Sequence, residues 1–105
     1  MLENGTTFPI GLPMIELTFN WPSEESGAEL LKGGRNFGHI AYQVDNIYDT
    51  CERLLKRGIM INRPPRDGRM AFVKSPDNVS VEILQKEKSL PIKAPWSKME
   101  NFGEW

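Results

Sequence analysis

The side chains best suited to acid–base or metal chemistry are one histidine and two glutamates, each standing inside an apolar, strand-like segment. His39, the only histidine of the chain, lies in FGHIAYQV, Glu16 lies in MIELTFN and Glu82 lies in VSVEIL. Because successive side chains of a strand point to opposite faces, each of the three lies opposite an apolar stripe. The pattern predicts a sheet with one polar, concave working face.

Composition narrows the class of protein that has to position these side chains. The chain has 105 residues, 39% of them hydrophobic, which predicts one small globular domain. Thirteen basic and fourteen acidic residues give a net charge of −1, so we expect no nucleic-acid or membrane partner. A single cysteine and the absence of a signal-like or membrane-spanning segment predict a cytoplasmic protein.

The order of the predicted elements defines the fold class. A helix begins at Asp45 or Asn46 and runs to about Arg57, where Gly58 ends it. Strands are predicted over residues 14–21, 37–44, 59–62, 69–74 and 79–85. This order gives an α+β fold, with one β-α-β-β-β module and an extra N-terminal strand. The single domain would comprise a loop or weak strand over 1–13, a core over 14–86 and an aromatic tail over 87–105.

The connections and edges of this module carry further expectations. Residues 22–34 are polar and predict a mobile connection, whereas 63–68 contain two adjacent prolines and predict a loop. The aromatic side chains of the tail predict that it packs on the core or on a partner. Because a single module leaves open sheet edges, we expect a homodimer that completes the barrel.

Four segments in the same order resemble the lactoylglutathione lyase (glyoxalase I) family of the vicinal oxygen chelate superfamily. The segments are IELTFNW, RNFGHI, MAFV and the stretch from SPD to EIL, which together cover most of residues 14–86. In that family two glyoxalase-type modules share a metal site. By this resemblance Glu16, His39 and Glu82 are metal ligands, and Glu82 and Glu16 are also the catalytic carboxylates.

The resemblance also implies a substrate and a cofactor. Asn20 and Arg35 match residues that hold the γ-glutamyl end of glutathione, and Arg63 and Gly68 match the loop that grips its glycyl carboxylate. The implied reaction converts the hemithioacetal of glutathione and a 2-oxoaldehyde into a 2-hydroxyacyl thioester. A divalent ion, with Zn²⁺ or Ni²⁺ favoured, would stabilise the enediolate while Glu82 moves the proton.

The first module of the family pattern is incomplete in this chain. Only its last strand is recognisable, and residues 1–13 contain no histidine, glutamine or cysteine to act as a fourth ligand. Three explanations stay open: a shortened protein, a sequence that starts late, or two chains that assemble a site with three protein ligands and water.

Other interpretations of the same residues stay open at this point. The chain could be a non-catalytic small-molecule binding module of the superfamily, or an inactive truncated half-barrel. Extradiol dioxygenase chemistry is disfavoured because its iron site needs two histidines. Arg63 and Arg66 are equally well explained as surface loop residues, and Cys51 lies on the apolar stripe of the helix, which predicts a packed thiol.

Overall fold

A computed structural model describes residues 11–25, 27, 31 and 38–105 of the chain. The chain divides into two compact units, Met1–Leu30 and Leu31–Trp105. Within the described part of the chain, no helix is both long enough and apolar enough to cross a membrane. The prediction of one domain spanning all 105 residues stays a prediction.

The second unit is one open α+β module. Its elements are β1 (His39–Val44), α1 (Ile47–Lys56), β2 (Ile61–Arg63), β3 (Met70–Lys74) and β4 (Ser80–Gln85). The sheet has the order β1-β4-β3-β2, with β1 parallel to β4 and the other neighbours antiparallel. The predicted β-α-β-β-β order and the α+β class are confirmed, and the four-stranded sheet is not closed into a barrel.

Helix α1 forms where the capping signals predicted it. The Asn46 side chain accepts a hydrogen bond from the Asp49 amide at 3.1 Å, which satisfies one free donor of the first turn. Gly58 follows the helix with φ of +79° and donates to the Leu55 carbonyl. Among the apolar side chains of the helix, Ile47 and Cys51 are fully buried, whereas Leu55 is 42% exposed.

The sheet buries one face against α1, whereas the other face, here called the open face, carries partly exposed side chains in the described part of the chain. The buried core consists of side chains from the helix, from three strands and from the tail: Ile47, Tyr48, Cys51, Ile61, Ala71, Val73, Ile83 and Trp96. On β3 and β4 the buried side chains alternate with partly exposed ones, as the period of a strand requires. His39, Phe72 and Glu82 therefore lie on the face away from the helix.

The boundaries of β2 differ from the prediction. The strand begins at Ile61 rather than at residue 59, because the Ile59 amide donates to the Leu54 carbonyl and still belongs to the end of the helix. Arg63, predicted to lie in the loop, is the last residue of β2 and pairs with Phe72. The loop itself is compact, since Pro64 and Pro65 are fully buried.

The predicted strand over residues 14–21 is wrong, because the structure assigns no strand to this segment. Its apolar side chains are exposed, with Leu17 at 86% and Phe19 at 69%. Alternation shows which face a strand would bury, but a strand also needs a neighbour that accepts its backbone hydrogen bonds. In the described part of the first unit, the only bridge joins Ser23 and Gly27. Most of residues 1–13 and of the predicted connection over 22–34 lie outside the described residues.

The C-terminal tail packs on the module, as predicted from its aromatic content. Trp96 is buried in a short 3-10 helix, Trp96–Lys98, and stacks on Tyr48 with ring centroids 6.0 Å apart. The Tyr48 hydroxyl donates to the Pro91 carbonyl at 2.7 Å. The tail thus completes the core on the helix side of the sheet.

Candidate active site

The histidine and one of the two glutamates meet on the open face of the sheet. His39 is the first residue of β1, and Glu82 lies in the neighbouring strand β4, where it is paired with Ala41. The two side chains share a face, and His39 Nε2 lies 2.8 Å from Glu82 Oε2. The predicted convergence of an imidazole and a carboxylate on one polar face therefore occurs within this unit.

This pair is held firmly and is still accessible. The Glu82 side chain is 15% exposed, whereas the His39 side chain is 43% exposed. Glu82 sits between two strands that both pair with β4, so its backbone position is constrained on both sides. A small molecule approaching the open face can thus reach the imidazole and one edge of the carboxylate.

Phe72 adjoins the pair, and Trp105 adjoins Phe72; the sequence analysis assigned neither side chain to the site. Phe72 pairs directly with Glu82 across β3 and β4, and its ring meets the His39 ring edge to face at 5.3 Å. Trp105 lies next to Phe72, with ring centroids 6.2 Å apart. The alternation in β3 could have placed Phe72 on this face, but nothing local in the sequence indicates where Trp105 lies.

Arg63, which was predicted to grip a substrate carboxylate, contacts Asp67 and Met70. The Arg63 guanidinium donates to the Met70 carbonyl at 2.6 Å and lies 3.4 Å from the Asp67 carboxylate. Partial burial of Asp67 disfavours its charge, but hydrogen bonds from the Arg69 and Met70 amides and the neighbouring Arg63 outweigh this and lower its pKa. Asp67 is thus a structural carboxylate that organises the entry to β3.

Gly68 is buried at the end of this loop. Its amide donates to Pro65, and its carbonyl accepts from the Leu90 amide. Its φ is +69°, and a Cβ at this position would overlap the Leu90 carbonyl. Packing and backbone conformation therefore explain why this position is a glycine. Its role in substrate binding stays a prediction.

The remaining predicted site residues belong to other parts of the chain. Glu16 and Asn20 are exposed and lie in the first unit. Arg35 lies outside the described residues. Among the residues that are described, no three His, Cys, Asp or Glu side chains are grouped to hold a metal ion. The convergence of Glu16 with His39 and Glu82 therefore stays a prediction.

The two donors that do meet fit part of a metal site. A tetrahedral zinc site with bonds of about 2.0–2.2 Å places its ligand atoms about 3.3–3.6 Å apart. Nε2 and Oε2 lie 2.8 Å apart, which is a hydrogen-bond distance, so the two atoms would have to separate by less than about 1 Å to bind one zinc ion. One nitrogen and one oxygen donor also suit a borderline divalent ion. The pair can supply two ligands, and further ligands have to come from elsewhere.

Cys51 takes no part in this face. Its side chain is fully buried on the opposite side of the sheet, and burial raises the pKa of its thiol to about 12. The prediction of a packed thiol rather than a nucleophile is confirmed.

The fold and the pair agree with a comparison against protein families. The family model described as the Glyoxalase/Bleomycin resistance protein/Dioxygenase superfamily matches residues 2–83. The chain belongs to this superfamily. The matched range contains Glu16, His39 and Glu82, whereas the whole tail lies beyond it.

Curated members of the superfamily with similar sequences carry related names. A probable lactoylglutathione lyase of Vibrio cholerae is 36% identical over 81 residues, which are 72% of this chain and 55% of that protein. A lactoylglutathione lyase of Neisseria meningitidis serogroup A is 37% identical, covering 70% of this chain and 54% of that protein. A lactoylglutathione lyase of Schizosaccharomyces pombe is 33% identical over 86 residues, which are 74% of this chain and 28% of that protein. The chain spans about half the length of the two bacterial relatives.

Proposed function

We propose that this chain is a metal-dependent enzyme of the lactoylglutathione lyase type. It would isomerise the hemithioacetal of glutathione and a 2-oxoaldehyde to a 2-hydroxyacyl glutathione thioester. The observation that carries the proposal is the 2.8 Å contact between His39 and Glu82 on the open face. The relatives named lactoylglutathione lyase support the choice of reaction.

Glu82 is the residue proposed to move the proton. The isomerisation removes a proton from the carbon that carries sulfur and returns one to the neighbouring carbon, so no net oxidation or reduction occurs. A carboxylate fixed in a strand, largely shielded from water and beside the ring of Phe72, can make both transfers from one position. Glu16 is the proposed second carboxylate.

The proposed cofactor is a divalent ion, Zn²⁺ or Ni²⁺, held by His39, Glu82 and Glu16. When bound, such an ion acts as a Lewis acid that stabilises negative charge developing on the substrate oxygens. His39 and Glu82 supply one nitrogen and one oxygen donor from adjacent strands. Glu16 would complete the set of three protein ligands.

The homodimer and the residues that contact glutathione belong to the same proposal. A homodimer would bring Glu16 of one subunit to the pair of the other. For glutathione, Asn20 and Arg35 are the proposed contacts of the γ-glutamyl end, and Arg63 and Gly68 those of the glycyl carboxylate. The cytoplasmic location stays a prediction.

The test is an activity and metal assay on the full chain. Purified protein loaded with Ni²⁺ or Zn²⁺ is mixed with the hemithioacetal of methylglyoxal and glutathione, and thioester formation is followed. We expect Glu82→Gln to lower turnover by about 100-fold or more, because general acid–base catalysis contributes at least that much. Metal content by elemental analysis should fall in the same variant.

A matched control separates this loss from a general effect of removing a carboxylate. Glu52→Gln removes an exposed glutamate of α1 that forms a surface ion pair with Lys56, so turnover should be unchanged. Full turnover in the folded Glu82→Gln variant would contradict the proposed role. A wild-type chain that binds glutathione conjugates without metal and without turnover would instead be a binding module.

A further inference from the structure

The tail first runs along the helix side of the sheet. The Leu90 amide donates to the Gly68 carbonyl at 2.9 Å, and Tyr48 binds the Pro91 carbonyl. Trp96 then fills the core against Tyr48. Up to residue 98 the tail is therefore a structural element on the side away from His39 and Glu82.

Two side chains then hold the end of the tail beside β2. Arg66 Nη1 donates to the Met99 carbonyl at 3.0 Å and to Asn101 Oδ1 at 2.8 Å. The Phe102 amide donates to the Asn62 carbonyl at 2.7 Å, and Asn62 Nδ2 donates to the Phe102 carbonyl at 2.9 Å. Four hydrogen bonds thus direct residues 99–102 along the edge of the sheet.

This path brings Trp105 to the open face. The ring centroids of Trp105 and Phe72 are 6.2 Å apart, and those of Phe72 and His39 are 5.3 Å apart. Trp105 is 41% exposed, so part of its apolar surface is accessible. Phe72 and Trp105 together form an apolar wall beside a polar pair.

The two residues of this apolar wall come from different parts of the sequence. Phe72 lies inside the range 2–83 that the superfamily model matches, whereas Trp105 and both tail partners of Arg66 lie beyond it. The position of Trp105 therefore depends on contacts that this chain makes through Asn62 and Arg66.

We infer that Trp105 is a specificity-determining residue, which favours hemithioacetals whose aldehyde-derived side chain is aromatic or otherwise large and apolar. The inference rests on the proposed isomerase function and adds the substrate class. An aromatic substrate group next to Phe72 and Trp105 gains ring contact and loses water-exposed apolar surface. A methyl group in the same place is too small to touch both rings.

The experiment compares two substrates in the full-length, metal-loaded chain. The kcat/KM is measured for the hemithioacetals of phenylglyoxal and methylglyoxal in wild type, Trp105→Ala and Trp105→Phe. We expect Trp105→Ala to lower the phenyl-to-methyl ratio by about threefold to tenfold, the size of one aromatic contact. Trp105→Phe should keep most of the ratio because it retains a ring.

Two further variants test the path of the tail. Phe102→Ala keeps the backbone hydrogen bonds to Asn62 and removes an exposed ring with no ring partner in the described residues, so the ratio should not change. Arg66→Ala removes the contacts to Met99 and Asn101 and should lower the ratio as Trp105→Ala does. Circular dichroism and the midpoint of thermal unfolding establish that each variant is folded.

The outcomes separate this inference from the proposed function. If wild type and Trp105→Ala turn over both substrates with the same phenyl-to-methyl ratio, the role of Trp105 is overturned and the isomerase function stands. Absence of turnover of either substrate by the wild-type chain overturns the isomerase function, and the substrate role of Trp105 with it. A lower ratio in Trp105→Ala and Arg66→Ala, with Phe102→Ala unchanged, supports the inference.

Discussion

Gly68 links the loop after β2 to the tail. Its carbonyl binds the Leu90 amide, and its Cα lies against the Leu90 carbonyl with no room for a side chain. Its positive φ adds a conformational requirement that residues with a Cβ meet only at a cost. A single residue therefore sets how closely the tail approaches the body of the module.

Replacing this glycine should destabilise the fold. For Gly68→Ala we expect a loss of about 2–4 kcal/mol in the free energy of unfolding, from the left-handed conformation and from steric overlap. Gly58→Ala is the matched control: it has a similar φ of +79° but open space around the site, so roughly 1 kcal/mol is expected. Urea unfolding measures both, and equal losses would contradict the packing argument.

At the scale of elements, Gln85 joins the last strand to the start of the helix. Its Oε1 accepts from the Ile47 amide at 2.8 Å, and its Nε2 donates to the Asp45 carbonyl at 2.8 Å. The Gln85 side chain is almost fully buried, and the amide of Ile47 is one of the donors that a helix start leaves free. One polar side chain in the core therefore fixes the distance between β4 and α1.

Removing this link should loosen the helix on the sheet. Gln85→Leu keeps the volume but leaves a buried amide and a carbonyl without partners, so we expect a loss of about 2–3 kcal/mol in unfolding free energy. Gln43→Leu makes the same change at an exposed position of β1 and should stay within roughly 0.5 kcal/mol of wild type. A Gln85→Leu variant as stable as Gln43→Leu would show that the two hydrogen bonds contribute little.

The elements also show what local sequence pattern can and cannot predict. Alternation and capping residues predicted α1 and the four strands of the module, and they placed His39 and Glu82 on one face. The same alternation failed over residues 14–21, because strand formation depends on a partner that the segment itself does not encode. The position of Trp105 could not be predicted from local sequence either, because it depends on Asn62 and Arg66, which lie about forty residues away in sequence.

At the scale of the whole molecule, the proposed site needs residues from two units of the chain. His39 and Glu82 lie in the second unit, and Glu16 lies in the first. In the proposed homodimer, Glu16 of one subunit would meet the pair of the other. This arrangement has a consequence for mixtures of inactive variants.

Mixing Glu16→Gln with Glu82→Gln tests whether the site is shared. A heterodimer would contain one intact site, so an equal mixture after subunit exchange should recover about a quarter of wild-type turnover. Each variant alone should stay inactive, and sedimentation velocity at micromolar concentration should show a dimer. A monomer, or a mixture with no recovered turnover, would contradict the shared site.

The two ends of the sheet are not equivalent. In the described part of the sheet, β2 is the edge at which the Phe102 amide donates to the Asn62 carbonyl, whereas β1 is the terminal strand on the other side. In the proposed homodimer, a second copy added beside β1 would leave the edge at β2 covered by the tail, which disfavours the addition of a further copy there. The residues that hold Trp105 in place would thereby also limit the assembly to a pair.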